Sequence, residues 1–457
     1  MSSSVDGLVS GLSTSSMISS LLQVEAAPQT RLKTKVNTAQ TVVSSYQSVN
    51  SKLVGLKNAA ADTSALSTWR SIKPTTNTAS VTATAVGGTN TATGSLTFDV
   101  VGLAKAQSTT ARVATTGDVT AAESFKVKVG SGDEVEIQLT DKSAQGIADA
   151  LNKAGLGVKA SVVNTGGAQN ILQLSGAKTG TANAFSITGL EDVGLATSAA
   201  TDAKLQVGGA DEDGGYSVTS GTNTFTGLMA GVTLTVSKKE TNVNLNVESD
   251  AAGIASKLQS LVDAANAALA EVTTQTKYDP STKVSSPLTG DFMVRQMSSS
   301  ILSSISQGLT YRKEGAPAAP DKTADPAVIA ADKAANVVKF GSLSKLGIEL
   351  DRSGQLTFDQ EKFTASYNAD PTAIKQAGIA FGDSIRAVAN TQIENVTGAV
   401  TGRKNAIDSM NLQIDNWDVR LAAKKTALTK QYAGLETALG KLQSQSTWLS
   451  GQIASLG

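Results

Sequence analysis

Seven aliphatic residues stand at strict heptad spacing near the end of the chain: Ile407, Ile414, Leu421, Leu428, Leu435, Leu442 and Leu449. A seven-residue repeat keeps one seam of a helix turned toward a partner, so this column predicts a coiled-coil helix over about 402–457. A second column is weaker. Met410 and Trp417 open it, Lys424 and Gln431 interrupt it, and Tyr432, Leu439 and Ile453 continue one step on. The segment has no Pro, and Gly434 and Gly440 are its weak points. A helix of about 50 residues is about 75 Å long, and a stripe this narrow needs a partner.

The start of the chain supplies a candidate. Leu32, Val36, Ala39, Val43, Tyr46, Leu53 and Ala60 alternate by four and three, with Asn50 and Lys57 as interruptions. A polar residue in such a seam sets register at some cost in stability. The plain reading is a pair of core helices in an ordinary bundle; the sharper one is a stalk built from both chain ends. On that reading Leu32–Leu53 packs against part of Ile407–Leu435. The seam residues Leu32, Val36, Val43, Tyr46, Leu53, Ile407, Ile414, Trp417, Leu421, Leu428, Leu435, Leu442 and Leu449 then form an oligomer or filament interface. Ahead of this helix, 13–23 reads as a short amphipathic helix, and Pro28 places a break at Ala26–Ala27.

Between Thr75 and Val247 the period becomes two. Val81–Thr84, Leu96–Val100, Phe125–Val129 and Val135–Leu139 alternate apolar with polar, and Gly130-Ser131-Gly132-Asp133 marks a hairpin between the last two. Further strands are expected at 158–163, 171–174, 185–187, 205–207, 232–236 and 243–247. One helix, Ser143–Ala154, interrupts them and stops at Gly155. Helical spacing returns at Ala251–Val272 and Phe292–Leu309. A Pro- and Ala-rich stretch, 313–335, reads as a mobile insertion. Gly347–Leu350 and Gln355–Phe358 form a hairpin, and two or three helices lead on to the last long one.

The expected fold is α+β and multidomain: terminal coiled-coil helices forming a stalk, a helical-bundle domain, and antiparallel β-rich head domains. Residues 1–40 and 410–457 form the leg, with 41–73 and 250–409 as a helical domain with a small hairpin. Residues 74–108 and 202–249 form an outer β domain, into which 109–201 is inserted. The order helix, sheet, helix lays the two stalk segments antiparallel, with the sheet domains at the far end.

Composition narrows the chemistry. Lys plus Arg and Asp plus Glu are both 39 in 457 residues, so there is no electrostatic case for nucleic acid or an anionic membrane. The balance is uneven, since 1–60 and 403–457 each carry +3 and the region between them −6. The chain has no Cys and no His, which removes disulfides, thiol nucleophiles and the usual triads. Paired carboxylates remain available to a hydrolase. No apolar run is long enough to span a membrane. The first residues lack the basic start and apolar stretch of a secretory signal, so the expectation is a cytoplasmic protein or one exported without a cleaved leader.

Candidate sites are few. Asp351-Arg352-Ser353-Gly354 resembles half a calcium loop, but Gly354 and Lys362 stand where that loop's geometry fails, so a turn is expected. Asp211-Glu212-Asp213 before two glycines could hold a hard cation, though such clusters are more often solvated loop tips. Val86-Gly87-Gly88 and Thr165-Gly166-Gly167 lack phosphate-loop spacing. Trp417 and Trp448 read as packing or interface residues. No catalytic constellation and no cofactor site emerges.

Particular stretches resemble a known family. Val5-Asp6-Gly7-Leu8-Val9-Ser10-Gly11-Leu12-Ser13-Thr14, with Val24-Glu25-Ala26-Ala27-Pro28, is similar to the opening of bacterial flagellar filament cap proteins, the hook-associated protein 2 family. Leu96–Ala104, Leu288-Thr289-Gly290-Asp291, Leu346-Gly347-Ile348 with Gly354-Gln355-Leu356, Leu435–Leu439 and Gln443–Leu449 resemble later landmarks of that family. Residues 124–187 resemble a repeat of flagellin-like proteins; the 313–335 insertion departs from the pattern. The resemblance implies a non-enzymatic extracellular ring of several subunits, a pentamer or similar, at the flagellum tip. Its legs would reach into the filament, and exported flagellin would fold and insert beneath its plate. The implied partners are a second copy, flagellin, hook–filament junction proteins and an export chaperone, without nucleic acid, membrane or cofactor. A secreted adhesin binding host glycan or mucin through its head is the alternative.

Overall fold

A computed structural model of the chain describes residues 11, 13–88, 90–210 and 214–454. The opening motif at Val5–Ser10, Leu12, and the acidic cluster Asp211-Glu212-Asp213 lie outside the described residues. In chain order the helices are α1 (Thr14–Glu25), α2 (Ala27–Ser64), α3 (Leu66–Trp69), α4 (Ala144–Ala154), α5 (Ala251–Thr276), α6 (Phe292–Ser306), α7 (Pro326–Asn336), α8 (Gln360–Ala369) and α9 (Pro371–Ala454). The chain is α+β and divides into two compact units, 65–254 and a second made of 1–64 with 255–457.

The unit 65–254 is built from antiparallel sheets around two cores. In the first, a five-stranded sheet runs in the order Ile72–Thr76, Glu240–Ser249, Gly94–Gly102, Ala203–Val207, Tyr216–Ser220. It is accompanied by a three-stranded sheet of Thr224–Thr226, Val232–Val236 and Val81–Ala85. Period-two alternation turns Val232, Leu234 and Val236 inward together with Phe98, Leu205 and Leu245. The second core is inserted between Gly102 and Ala203. It has a four-stranded sheet, in the order Ala196–Ser198, Ser108–Ala114, Gln169–Gly176, Val158–Asn164, and a three-stranded one centred on Ser124–Val129. Helix α4 closes it with Ile147 and Leu151 against Phe125, Leu172 and Leu174. Ser143 caps α4 by accepting from Gly146 N–H, and Gly155 ends it at φ 65°.

Polar side chains pin the backbone around these cores. Gln107, buried, holds Phe185 by both backbone groups at 2.6 and 3.0 Å. Asn223 does the same for Ala104 at 2.7 and 3.2 Å. Asp202 accepts from Thr181 N–H and hydroxyl at 2.6 and 2.8 Å.

The helical unit is organised by α2 and α9, and α9 differs most from expectation. In place of two or three helices, α8 alone leads to the final one, and Pro371–Ala454 is one helix of 84 residues, about 126 Å long. Pro371 suits its first turn, and Asp370 accepts from Ala373 N–H at 2.9 Å as its cap. Gly382 does not break it because the backbone of α2 presses there. A Cβ on Gly382 would stand 2.7 Å from both Ala60 O and Ser64 N. The insertion 313–335 also departs from expectation. It carries α7, capped by Asp325 through Ala327 N–H, inside a hairpin of Leu309–Arg312 with Val337–Gly341.

These contacts set an asymmetric pair of substitutions. Gly382→Ala should lower stability by about 1–2 kcal/mol, since the added methyl overpacks a tight contact. Gly398→Ala, which meets nothing within 4 Å on an exposed turn of the same helix, should raise it by up to about 1 kcal/mol. Urea unfolding of both variants checks the signs.

Candidate assembly surface on the terminal helices

Helices α2 and α9 run antiparallel, as three contacts fix. Gln29 Nε2 donates to Asp418 Oδ1 at 2.6 Å and Ile414 O at 3.3 Å. Val36 and Val43 pack with Ile407, and the backbone at Ala60 and Ser64 meets Gly382. The partner of α2 is therefore about 382–418. The expected pairing of Leu32–Leu53 with part of Ile407–Leu435 is met by 32–43, which lies against the start of the heptad column, while the rest of α2 runs on toward Gly382, upstream of that column. The long helix starts earlier than its apolar heptads do, which moves the contact upstream.

Burial follows this register. Val36, Val43, Tyr46 and Leu53 are buried, and Leu32 is half-buried. Ile407 is buried, while Ile414, Trp417, Leu421 and Leu428 are half-buried. The rest of the column is open, with Leu435 48%, Leu442 61% and Leu449 55% exposed. Trp448 and Ile453 are exposed as well. One heptad column thus passes from core to bare surface along a single helix. A fully buried Leu such as Leu53 is stabilised by about 2 kcal/mol, a contribution the open positions lack.

The polar interruptions have local explanations that the column alone concealed. Lys424 stands at a seam position because Glu25 of α1 faces it, Nζ to Oε1 3.3 Å. Both side chains are about half exposed, so the pair is worth at most about 1 kcal/mol. Asn50 Oδ1 is buried with no hydrogen-bond partner among the described residues, a cost rather than a contact. Arg420 lies over the Trp417 ring, 4.4 Å from its centroid.

A three-way contact lies higher on α2. The Tyr46 hydroxyl donates to the Asp291 carboxylate, whose other oxygen accepts from Val294 N–H as the cap of α6. Arg403 of α9 sits 5.4 Å from the Tyr46 ring centroid. Burial, and next the Asp291 carboxylate, push the Tyr46 phenol above its ordinary value, with Arg403 opposing. Sequence spacing placed Tyr46 in the seam but gave no sign of Asp291 or Arg403 as its partners.

Elsewhere, Asp351 Oδ1 accepts from Ser353 N–H at 2.8 Å, Ser353 Oγ at 2.6 Å and Gln355 N–H at 2.9 Å. That carboxylate is engaged in a turn. Among the described residues no acidic group forms a metal-holding cluster, and no helix is long and apolar enough to cross a membrane.

Comparison with known proteins bears on the whole chain. The family described as "Flagellar hook-associated protein 2 C-terminus" matches residues 200–444, more than half of the 457. The family "Flagellar hook-associated protein 2 N-terminus" matches 10–107. The chain is 23% identical to the flagellar hook-associated protein 2 of Escherichia coli (strain K12), covering 98% of this chain and 97% of that one. It is 28% identical to the lateral flagellar hook-associated protein 2 of Vibrio parahaemolyticus over 62% of this chain and 58% of that protein. In fold it is similar to the crystal structure of the D1–D2–D3 domains of the flagellar cap protein from Escherichia coli. That match has a TM-score of 0.58 at 22% identity and covers 79% of this chain and 99% of that one.

Two outcomes follow from the geometry. Leu53→Ala should cost about 2–5 kcal/mol, whereas Leu442→Asp should change monomer stability by no more than about 0.5 kcal/mol; denaturant unfolding at low concentration separates them. In an alkaline titration followed by tyrosinate absorbance, one of the six tyrosines should ionise late, and Tyr46→Phe should remove that step. The raised phenol contributes stability that is complete below its ordinary 10.0 and lost as pH rises through the folded value.

Proposed function

The chain belongs to the flagellar hook-associated protein 2 family, and from that premise we infer that it caps the distal tip of a bacterial flagellar filament. There it promotes the folding and insertion of exported flagellin. The observation that carries this reading is the near end-to-end match to a flagellar hook-associated protein 2, 98% of this chain against 97% of that one. The terminal helices support it physically. Leu435, Leu442 and Leu449 sit on a helix that continues past its partner's cover, and exposed apolar rows of this kind mark interaction surfaces.

In this reading the protein works outside the cell, as a homo-oligomer at the filament tip. The seam residues from Ile414 to Leu449 meet helices of neighbouring subunits or of flagellin, and the 65–254 unit forms the plate. Hook–filament junction proteins and an export chaperone complete its partners. The role is structural, without catalysis or cofactor. The adhesin alternative finds no support among the matched relatives.

Expression in a flagellated strain lacking its own cap protein tests the reading. The native chain should restore filaments and swimming, while without it flagellin is lost to the medium unpolymerised. Leu442→Asp combined with Leu449→Asp should leave the chain folded and secreted, yet reduce filament number at least tenfold. No restoration by the native chain would refute the cap assignment; full restoration by the double variant would refute the seam.

A further inference from the structure

Helix α1 lies where the column of α9 passes from covered to open. Glu25, at its end, faces Lys424, Oε1 to Nζ 3.3 Å. Gln29, four residues on, reaches Asp418, six residues back. Thus α1 continues the antiparallel course of α2 along α9. Its 12 residues rise about 18 Å, which carries Thr14 to the level of about Leu435. Thr14 and Ile18 are buried and Leu22 is half-buried, and α9 is the helix packed against them. Under this stretch Leu421, Leu428 and Tyr432 are half-buried, whereas from Lys441 to Ala454 every residue is exposed. What covers the middle of the column is α1.

The seat of α1 is weak. Ile18 is its one large apolar side chain buried against α9, while Met17, Leu21 and Val24 form an exposed row at i, i+4 and i+7. Among the described residues Ser13 supplies no side-chain cap to its first turn. Both partners of the Glu25–Lys424 pair are about half exposed, and ion pairs of that kind contribute little. At the joint the chain turns at Ala26, and Pro28 has no N–H to donate back to Val24. A helix this short keeps its form only through packing, and here little of it is packed.

We propose that α1 is a strap that shields the α9 column in the free subunit. It lifts at Ala26–Pro28 when the α9 column of a second copy takes its place. This rests on the reading above that Ile414 to Leu449 meet neighbouring subunits. That reading asks Leu421 and Leu428 to face another helix, yet in the single chain α1 already stands there. The row beneath α1 runs into the open Leu435, Leu442 and Leu449 at unbroken heptad spacing. A second α9 carries a row of the same period and length, which the shorter α1 cannot match. Lifting α1 extends the open row back to Leu421. Self-association is held back until a neighbour buries more than Ile18 and Glu25 do.

Ile18→Ser with Glu25→Lys frees α1, the first by removing its buried anchor, the second by setting a like charge opposite Lys424. In sedimentation velocity the full-length variant should self-associate about tenfold or more tightly than the native chain, with thermal unfolding unchanged. The chain has no Cys, so Glu25→Cys with Lys424→Cys, bridged by a short bismaleimide, locks α1 down. The bridged monomer should associate about tenfold or more weakly than the same protein unbridged. Association of the freed variant at or below the native level, or equal association with and without the bridge, would each overturn the proposal. Either result, with filaments still restored by the native chain, means that the strap is wrong and the cap function stands.

Discussion

The antiparallel contact of α2 with α9 is the constraint from which the helical unit takes its form. It is tight enough at Gly382 that no side chain fits between the two backbones, and this close approach fixes register over the whole length of α2. Gln29 on Asp418 and Val43 by Ile407 are then consequences of the same alignment. The Tyr46–Asp291 bond with Arg403 carries that alignment to α6 through its cap. A shift of α2 by one turn would move Ala60 off Gly382 and detach Tyr46 from Asp291 together. Apolar seams alone tolerate slippage, whereas a steric notch and a buried polar bond do not.

Much of this was legible where a period persists. The heptads from Ile407, the four-three spacing of α2 and the alternation at Phe125–Val129 and Val232–Val236 each report a face repeatedly buried on one side. The legible parts end where packing is done by small or uncharged polar residues. The first third of α9 buries Ile374, Phe381, Ile385 and Val396 at helical spacing, but Ala377, Gly378, Gly382 and Ala389 share that face, and the glycines read as breaks, so its continuity with the later helix was hidden. Strand Ser108–Ala114 is central in its sheet yet rich in Ser and Thr. The hairpin of Leu309–Arg312 with Val337–Gly341 joins strands separated by a whole helix, beyond the reach of a local turn signal.

The same limit applies to the candidate surfaces. The open column of Leu435, Leu442 and Leu449 could be read from spacing because large aliphatic residues mark it. Which part of it the chain covers by itself could not, since that depends on where α2 and α1 end against α9. Lys424 looked like a fault in a seam and is a partner of Glu25.

Burial declines along α9 from Val396 and Ile407, through the half-covered Ile414 to Leu428, to the bare Leu435 to Leu449. A helix whose apolar row is covered at one end and open at the other has unequal stability along its length, since packing rather than propensity holds a helix in water. The covered end keeps α9 anchored to its own unit, and the open end gains most when another helix is supplied. In the proposed assembly, ordering of the open end is coupled to the neighbour that covers it, which would supply the packing its final turns lack.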